Sequence, residues 1–355
     1  MRVPLLVVGA GLSGLALAAQ AARAGVGVML LEARPRIGGR VLSLPAAGGA
    51  HDLGAAWVWP SLQPRLARLI HDAGLRTYAQ HGAGAFLAED GQGRLQRRAW
   101  GYAQDPPSLR LHGGAAALLE PLRAALPAGA LRLGLRVSAL HLEADGIEIR
   151  ADDAHGRTQR WRAGQVVLAL PPRLAAALHF SPALPTALLQ QLTAMPTWMA
   201  AHAKALACYA RPFWREAGLS GSAWSERGPL GEIHDASLPA APAGALMGFF
   251  AWPAARRARH PDLALAVREQ LAALFGSEAA QPQSIHLVDW ARESATAGAG
   301  DGDATAHPAE HVLPAVGVWT GRLALAGSEC SPVFAGYLEG ALAAADQAWQ
   351  QLRAS

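Results

Sequence analysis

The sequence predicts an α/β fold: a first unit with a parallel sheet, and a second, α+β unit built on an antiparallel sheet. Three observations carry this expectation. The first is Val3 to Arg40, where an apolar run (Val3 to Val8) leads into Gly9-Ala10-Gly11-Leu12-Ser13-Gly14. An Ala/Leu-rich segment follows, then Val26–Leu31 ending in Glu32. Strand, glycine-rich turn, helix, strand and acid, in that order, make the βαβ unit that binds an adenine dinucleotide. The second is the strand pattern from Leu131 to Leu170, and the third is a set of apolar, strand-like segments between Ala203 and Trp252.

In the first unit, Gly9 allows the tight turn, Gly11 lets a pyrophosphate approach the backbone, and Gly14 lets helix and strand pack closely. The helix start around Ser13 offers free N–H groups and a partial positive charge to phosphates. Glu32, 18 residues after Gly14, stands where an acid accepts hydrogen bonds from ribose hydroxyls. Val3 to Ala22 carries no charge and follows Arg2, which is also the outline of a signal peptide or a membrane span. Three glycines and a serine early in the run, with no clear cleavage site, favour a folded start and no membrane. Two more glycines and three arginines follow Glu32 in Ala33-Arg34-Pro35-Arg36-Ile37-Gly38-Gly39-Arg40. They suit continued contact with a diphosphate.

The totals bound the function. A chain of 355 residues holds two domains, or one with an insertion; 51% hydrophobic and 16% charged residues fit a well-buried globular protein. The net charge of +4 is mild, and the densest basic cluster, Arg256, Arg257 and Arg259, reads as a solvated helix start. There is no interleaved basic and aromatic stripe of the kind nucleic acid requires. Two cysteines and thirteen histidines show no disulfide framework and no metal-ligand spacing, so the default location is cytoplasmic. Of the 31 basic residues a single one, Lys204, is lysine. It lies in the apolar strand Ala203–Tyr209, and a position that keeps Lys in so Arg-biased a chain asks for a compact ammonium or a titratable amine.

Further along, Asp52-Leu53-Gly54-Ala55-Ala56-Trp57 is a glycine turn with an aromatic, and Ser61 to Leu75 has helical spacing. Residues 78–110 read as irregular, with a hairpin at Asp90-Gly91. A helix is expected from His112 to about Ala125, then strands through Leu170, stopped by Pro171-Pro172. A helix is expected from Asp262 to Phe275, a strand at Ile285–Trp290, a loop at Ala295–His307, a short strand at Arg322–Ala326 and a last helix from about Gly336 to Leu352. The implied division is 1–60, 112–172 and 286–355 for the dinucleotide unit, and 61–111 with 173–285 for the substrate unit.

Taken together these pieces resemble the flavin-containing amine oxidase family. The resemblance rests on Glu32-Ala33-Arg34, Gly38-Gly39-Arg40, Asp52–Trp57, Val166–Pro172 with Phe180-Ser181-Pro182, and Lys204 eight residues before Pro212-Phe213-Trp214. It continues through Trp290, Ala326-Gly327-Ser328-Glu329 and Gly336-Tyr337-Leu338-Glu339-Gly340-Ala341, in order and over nearly the whole chain. It implies a Rossmann-type FAD-binding domain, with FAD lying between both ends of the chain. Glu32 would hold the adenosine ribose, with Arg34 and Arg40 near the diphosphate, Val137 meeting the adenine through its backbone, and Ala33 and Gly39 also in the cofactor site. Gly54, Ala55, Trp57, Trp290, Gly327, Glu329 and Leu338 would complete the cofactor site. Lys204 would sit near flavin N5, bridged by water, and Tyr337 would face the flavin with the substrate. Trp57, Trp290 and Tyr337 also read as ordinary packing aromatics.

Three departures qualify the resemblance. Some members bind flavin covalently through a Cys, whose position falls at Ala299, so FAD is expected to be non-covalent. The second of two paired aromatics falls at Gly300, leaving Tyr337 to be completed by Trp198, Phe249 or Trp252. The span from Trp57 to Gly113 is 56 residues, so the helical part that roofs the substrate cavity is mostly missing. Either the site takes a bulky substrate, or a second copy or a partner protein covers it. The leading expectation is oxidation of a small-molecule amine to an imine by hydride transfer to flavin N5, with reoxidation by O2. A flavoprotein of this fold acting on a non-amine (a desaturase, a protoporphyrinogen-oxidase-like or a renalase-like enzyme) stands beside it, as does a non-catalytic flavin-binding partner.

Overall fold

The computed structural model describes residues 2–99, 104–239, 241–303, 307–308 and 318–354. Its first sheet has eight strands, running His179–Ser181, Arg136–Glu143, Gly146–Asp152, Thr158–Leu168, Arg2–Val8, Val28–Leu31, Leu131–Arg132, with Leu323–Leu325 set against Thr158–Leu168. Arg2–Val8 is parallel to both of its neighbours, and its Leu5 to Val8 are fully buried, as a strand covered on both faces should be. At 11 residues, Thr158–Leu168 is long enough to change partners along one edge. Its first half pairs antiparallel with Gly146–Asp152, and its last residues pair parallel with Leu323–Leu325. That switch brings the end of the chain beside its beginning.

Helix Leu12–Arg23 packs on the C-terminal helix Leu338–Ala354, and both bury alanine-rich faces in one core with Leu5, Val7 and Leu30. A Cβ at Gly14 would stand 1.9 Å from the Gly9 carbonyl oxygen, so only glycine permits this approach. The second sheet runs Ser284–Asp289, Ala203–Tyr209, Gly244–Phe250, Leu230–Asp235, Leu219–Ser225, Ala85–Glu89, Leu95–Arg98. Every pairing in it is antiparallel except that of Ala85–Glu89 with Leu219–Ser225.

Several expectations need correction. The hairpin expected at Asp90-Gly91 forms, but it does not lie in an irregular stretch: its strands, Ala85–Glu89 and Leu95–Arg98, complete the second sheet. The expected boundary at 286 falls inside Ser284–Asp289, which pairs with Ala203–Tyr209, and His179–Ser181, beyond 172, lies on the first sheet. The helix expected from His112 divides into a 3₁₀ turn, Ala115–Leu118, and a short helix, Glu120–Ala124. The last helix starts at Leu338, because Gly336 has φ +82°. Helix Pro64–Asp72 is shorter than Ser61–Leu75; Pro64 opens it, and the buried Glu339 carboxylate accepts from the Arg65 and Leu66 N–H groups. Helix Thr186–Ala194 carried no expectation. Arg257 is not solvated: it is 3% exposed and pairs with Asp289 at 2.6 Å.

Between Trp57 and Gly113 the described residues hold one helix, Pro64–Asp72, and short strands. Among the described residues no helix is long and apolar enough to cross a membrane, and no group of three or more His, Cys, Asp or Glu could hold a metal ion.

Candidate flavin site and amine pocket

A cavity of about 1050 Å³ runs between the two sheets. At one end its wall is the glycine turn, Gly9, Gly11 and Ser13, with Glu32, Ala33, Arg34, Gly39 and Arg40. Val137 lines the wall as well, as do Gly54, Ala55, Trp57, Trp290, Gly327 and Leu338, together with Trp198, Lys204, Phe249 and Tyr337. The structure therefore brings together the residues expected from the sequence with four exceptions, Gly14, Arg36, Glu329 and Trp252, the last of which lies under Arg256. Gly14 lies behind the turn as packing, and Glu329 is fully buried off the wall.

The dinucleotide end is built from backbone. Gly11 precedes helix Leu12–Arg23 with no side-chain cap, so the first N–H groups of the helix remain available to an anion. A Cβ on Gly11 would meet nothing nearer than the Gly38 carbonyl oxygen at 4.0 Å, so the glycine leaves open space. Glu32 accepts from the N–H groups of Ala10 (2.8 Å) and Arg34 (2.9 Å), which fixes the carboxylate at the end of its strand. Ser13 donates to the Ala326 carbonyl oxygen at 2.5 Å, tying the glycine turn to the C-terminal motif. At Val137 the pairing with Gly146–Asp152 slips by a residue, a bulge where the strand turns to the cavity.

The two arginines expected at a diphosphate have other partners. Arg34 binds Glu293 at 3.1 Å and donates to the Ala295 carbonyl and the Thr296 hydroxyl. Arg40 makes a two-pronged pair with Glu329 at 2.5 and 3.0 Å and donates to the Trp198 carbonyl oxygen at 2.9 Å. Glu329 also accepts from the Trp198 N–H at 3.0 Å. Burial alone would raise its pKa, but Arg40 and the Ser328 hydroxyl outweigh that and hold it below the ordinary carboxylate value. Glu329 thus fixes Arg40 and Trp198 from behind the wall.

At the other end, Lys204 is 4% exposed and its Nζ donates to the Gly54 carbonyl oxygen at 2.5 Å. Nζ stands 4.6 Å from the Phe249 ring centre and 6.0 Å from that of Trp57. Burial is the main cause that lowers its pKa to about 7; Asp52 and Glu232 oppose the shift and Arg110 adds to it. Trp57 is held by Gln80, which accepts its Nε1–H at 2.9 Å, and packs on Phe249 (5.9 Å) and His234 (4.9 Å). Tyr337 lies 6.0 Å from Trp198 and stacks on His307 at 5.4 Å. Trp198 thus stands beside Tyr337, while Gly300 packs near Arg173 and does not line the cavity.

Several wall residues were not anticipated. His202, Trp224 and Glu232 line the cavity. His202 lies just before strand Ala203–Tyr209, where no period shows its direction; its Nδ1 is buried without a hydrogen-bond partner. Glu232 and Trp224 are placed by pairing between strands, which sequence spacing does not reveal. Lys204 is opposite Phe249, Phe249 opposite Glu232, and Glu232 opposite Trp224. The row leads from buried Lys204 to Trp224, which is 53% exposed.

An open glycine cradle at a helix start, the acid Glu32 at the end of the next strand and a second helix start at Leu338 on the same wall fit FAD. The cavity sits at the upper end of small-molecule sites, roughly 300–1,000 Å³. Ala299 offers no thiol for covalent attachment.

Comparison with known proteins agrees. The family described as flavin containing amine oxidoreductase matches residues 96–352, and a NAD(P)-binding Rossmann-like domain matches residues 7–73. An L-amino acid dehydrogenase of Synechocystis sp. is 30% identical over 72% of this chain; the match spans 54% of that protein. A Mycobacterium tuberculosis protein named as a flavin-containing monoamine oxidase is 27% identical over 462 aligned positions, covering 99% of this chain and 97% of that one. With 355 residues here, that relative carries sizeable segments without counterpart in this protein. The solved structure of a putrescine oxidase with putrescine bound superposes over the whole of both chains with a TM-score of 0.82 at 20% identity, a likeness of fold. The chain belongs to the flavin-containing amine oxidoreductase family, with non-covalent FAD as its cofactor.

Proposed function

We propose that the protein oxidises a small-molecule amine to an imine, with O2 as the final electron acceptor and with a preference for amines that carry a second cationic group. FAD, when bound, would supply the two-electron acceptor for the hydride from the carbon next to nitrogen. The observation that carries the reading is the row Lys204, Phe249, Glu232, Trp224 along one face of the second sheet. A substrate amine must be neutral to give up hydride. The aromatic surfaces of Trp57, Phe249, Trp198 and Tyr337 disfavour its ammonium form by excluding water. Lys204, with a pKa of about 7, presents at Nζ an amine able to take the ammonium's proton.

Glu232 supports the substrate preference. It is two strands from Lys204, about 10 Å at the usual strand spacing. Whereas Glu32 binds the glycine turn, Glu232, whose Oε1 stands 2.6 Å from His234 Nε2, is a carboxylate on the wall near Lys204. A substrate amine beside Lys204 would place a second ammonium four to six bonds away against that acid. The relatives are named for L-amino acid dehydrogenation, monoamine oxidation and putrescine.

The reading is tested by adding monoamines, α,ω-diamines, polyamines, amino acids and NAD(P)H to the oxidised holoenzyme without oxygen and following loss of flavin absorbance. Diamines are expected to bleach it at lower concentration than monoamines of equal length. Glu232→Gln is expected to erase that preference by roughly ten- to a hundred-fold, the scale of one charge-assisted contact. Bleaching by NAD(P)H and by no amine would overturn the assignment.

A further inference from the structure

We propose that Arg110, buried behind Trp57, lowers the proton affinity of the Lys204 amine and so enlarges the share of it that is neutral and ready to accept a proton. The proposal deepens the reading above, on which Lys204's place at the reacting end rests. The charge relation itself is independent of the substrate.

Arg110 comes from the short strand Leu109–Leu111, paired with Thr77–Ala79. It is 3% exposed, and among the described residues no carboxylate forms an ion pair with it. Its Nε donates to Gln80 Oε1 at 2.6 Å, and its Nη2 is buried with no hydrogen-bond partner. A buried cation without a counter-ion is costly, so its position calls for an explanation beyond packing. Gln80 Oε1 also accepts from Trp57, while Gln80 Nε2 donates to the Asp235 and His81 carbonyls. Arg110 and Trp57 are therefore held as one unit.

The guanidinium carbon of Arg110 lies 5.7 Å from the Trp57 ring centre, and Lys204 Nζ lies 6.0 Å from the same point. Two basic groups thus share one indole, no more than about 12 Å apart and screened from water, where charges interact strongly. A guanidinium does not give up its proton in proteins, whereas an amine does. Lys204 is therefore the group that yields. Among the charges around Lys204, Asp52 acts most strongly and in the opposite sense, Arg110 comes next and Glu232 opposes it; Tyr78, Asp52 and Asp235 act on Arg110 against the effect of its burial. Asp52 is a weakened counter-ion, since burial raises its own pKa despite the Ser43 hydroxyl and the Ala115 N–H it binds. Burial is the larger cause at Lys204, but Arg110 is the cause that substitution can remove.

The composition of the chain makes the test clean. Lys204 is the sole lysine, so holoenzyme labelled with ¹³C-lysine gives a single side-chain Cε signal whose pH titration reads that one amine. The wild-type midpoint is expected near 7. Arg110→Met should raise it by about one unit, the scale of one unit charge at this separation. Gln80→Glu, which sets a carboxylate against Arg110 without removing it, should raise it in the same direction. The acid limb of the pH–turnover profile should move with the midpoint. A wild-type midpoint near the ordinary lysine value, roughly 10.4, or one that stays put in both variants when folded, overturns the proposal. If the midpoint moves while no amine reduces the flavin, the charge relation stands and the reaction reading falls.

Discussion

Lys204→Met is expected to slow amine turnover at least a hundred-fold and, below pH 7, to make the protein more stable. The first part follows from removing the one amine at the reacting end of the cavity, where a positioned proton acceptor contributes roughly 10²–10⁴. The second follows from the cost of charging a buried lysine. With a pKa of about 7 in the folded protein against 10.5 when unfolded, the unfolded chain binds more protons between those values. Stability should therefore rise with pH across that window, and the penalty should be fully present below pH 7. Methionine fills similar volume without the charge, and loses only the hydrogen bond to the Gly54 carbonyl. Urea denaturation at pH 6, 8 and 10 should place the variant ahead by ~2 kcal/mol or more at pH 6, with the gap closing at pH 10. Unchanged turnover would remove Lys204 from the chemistry, and a stability gap that is flat in pH would deny the lowered pKa.

Glu329→Ala is expected to cost about 3–5 kcal/mol of stability and most of the FAD affinity. Its carboxylate is fully buried, takes both prongs of Arg40 and accepts the Trp198 N–H. Alanine leaves Arg40 without its counter-ion and Trp198 without its anchor, and both line the cavity. Glu329→Gln keeps the shape and should lose less. Thermal unfolding and FAD release on gel filtration measure the two effects separately; a variant as stable and as yellow as the parent would contradict this account. Because Arg40 holds the pKa of Glu329 below its ordinary value, its contribution is complete above pH 4.5 and is lost as the pH falls through the folded value.

Much of the cofactor end was legible because it is local. The glycine turn, its helix and Glu32 lie within 30 residues, and each has a steric or hydrogen-bonding reason that spacing expresses: Gly14 against the Gly9 carbonyl, Glu32 against the Ala10 N–H. The Arg34–Arg40 stretch was legible as a motif but not in its wiring. Which acid takes a guanidinium depends on what the fold brings near, and Glu293 and Glu329 are more than 250 positions away.

At the end proposed for the substrate, the sequence pointed to Lys204 and the aromatics alone. Glu232 became a wall residue through a register shift next to Gly231, and Arg110 acquired its place behind Trp57 from two three-residue strands too short to show a period. By itself, then, the sequence determined the class of fold, the dinucleotide site and the one lysine, because these follow from steric and compositional rules acting within short windows. Only the tertiary structure decided what surrounds that lysine. Burial, the shared indole and the row from Lys204 to Trp224 are properties of strands paired across the chain, and they set both its proton affinity and the shape of the substrate that reaches it.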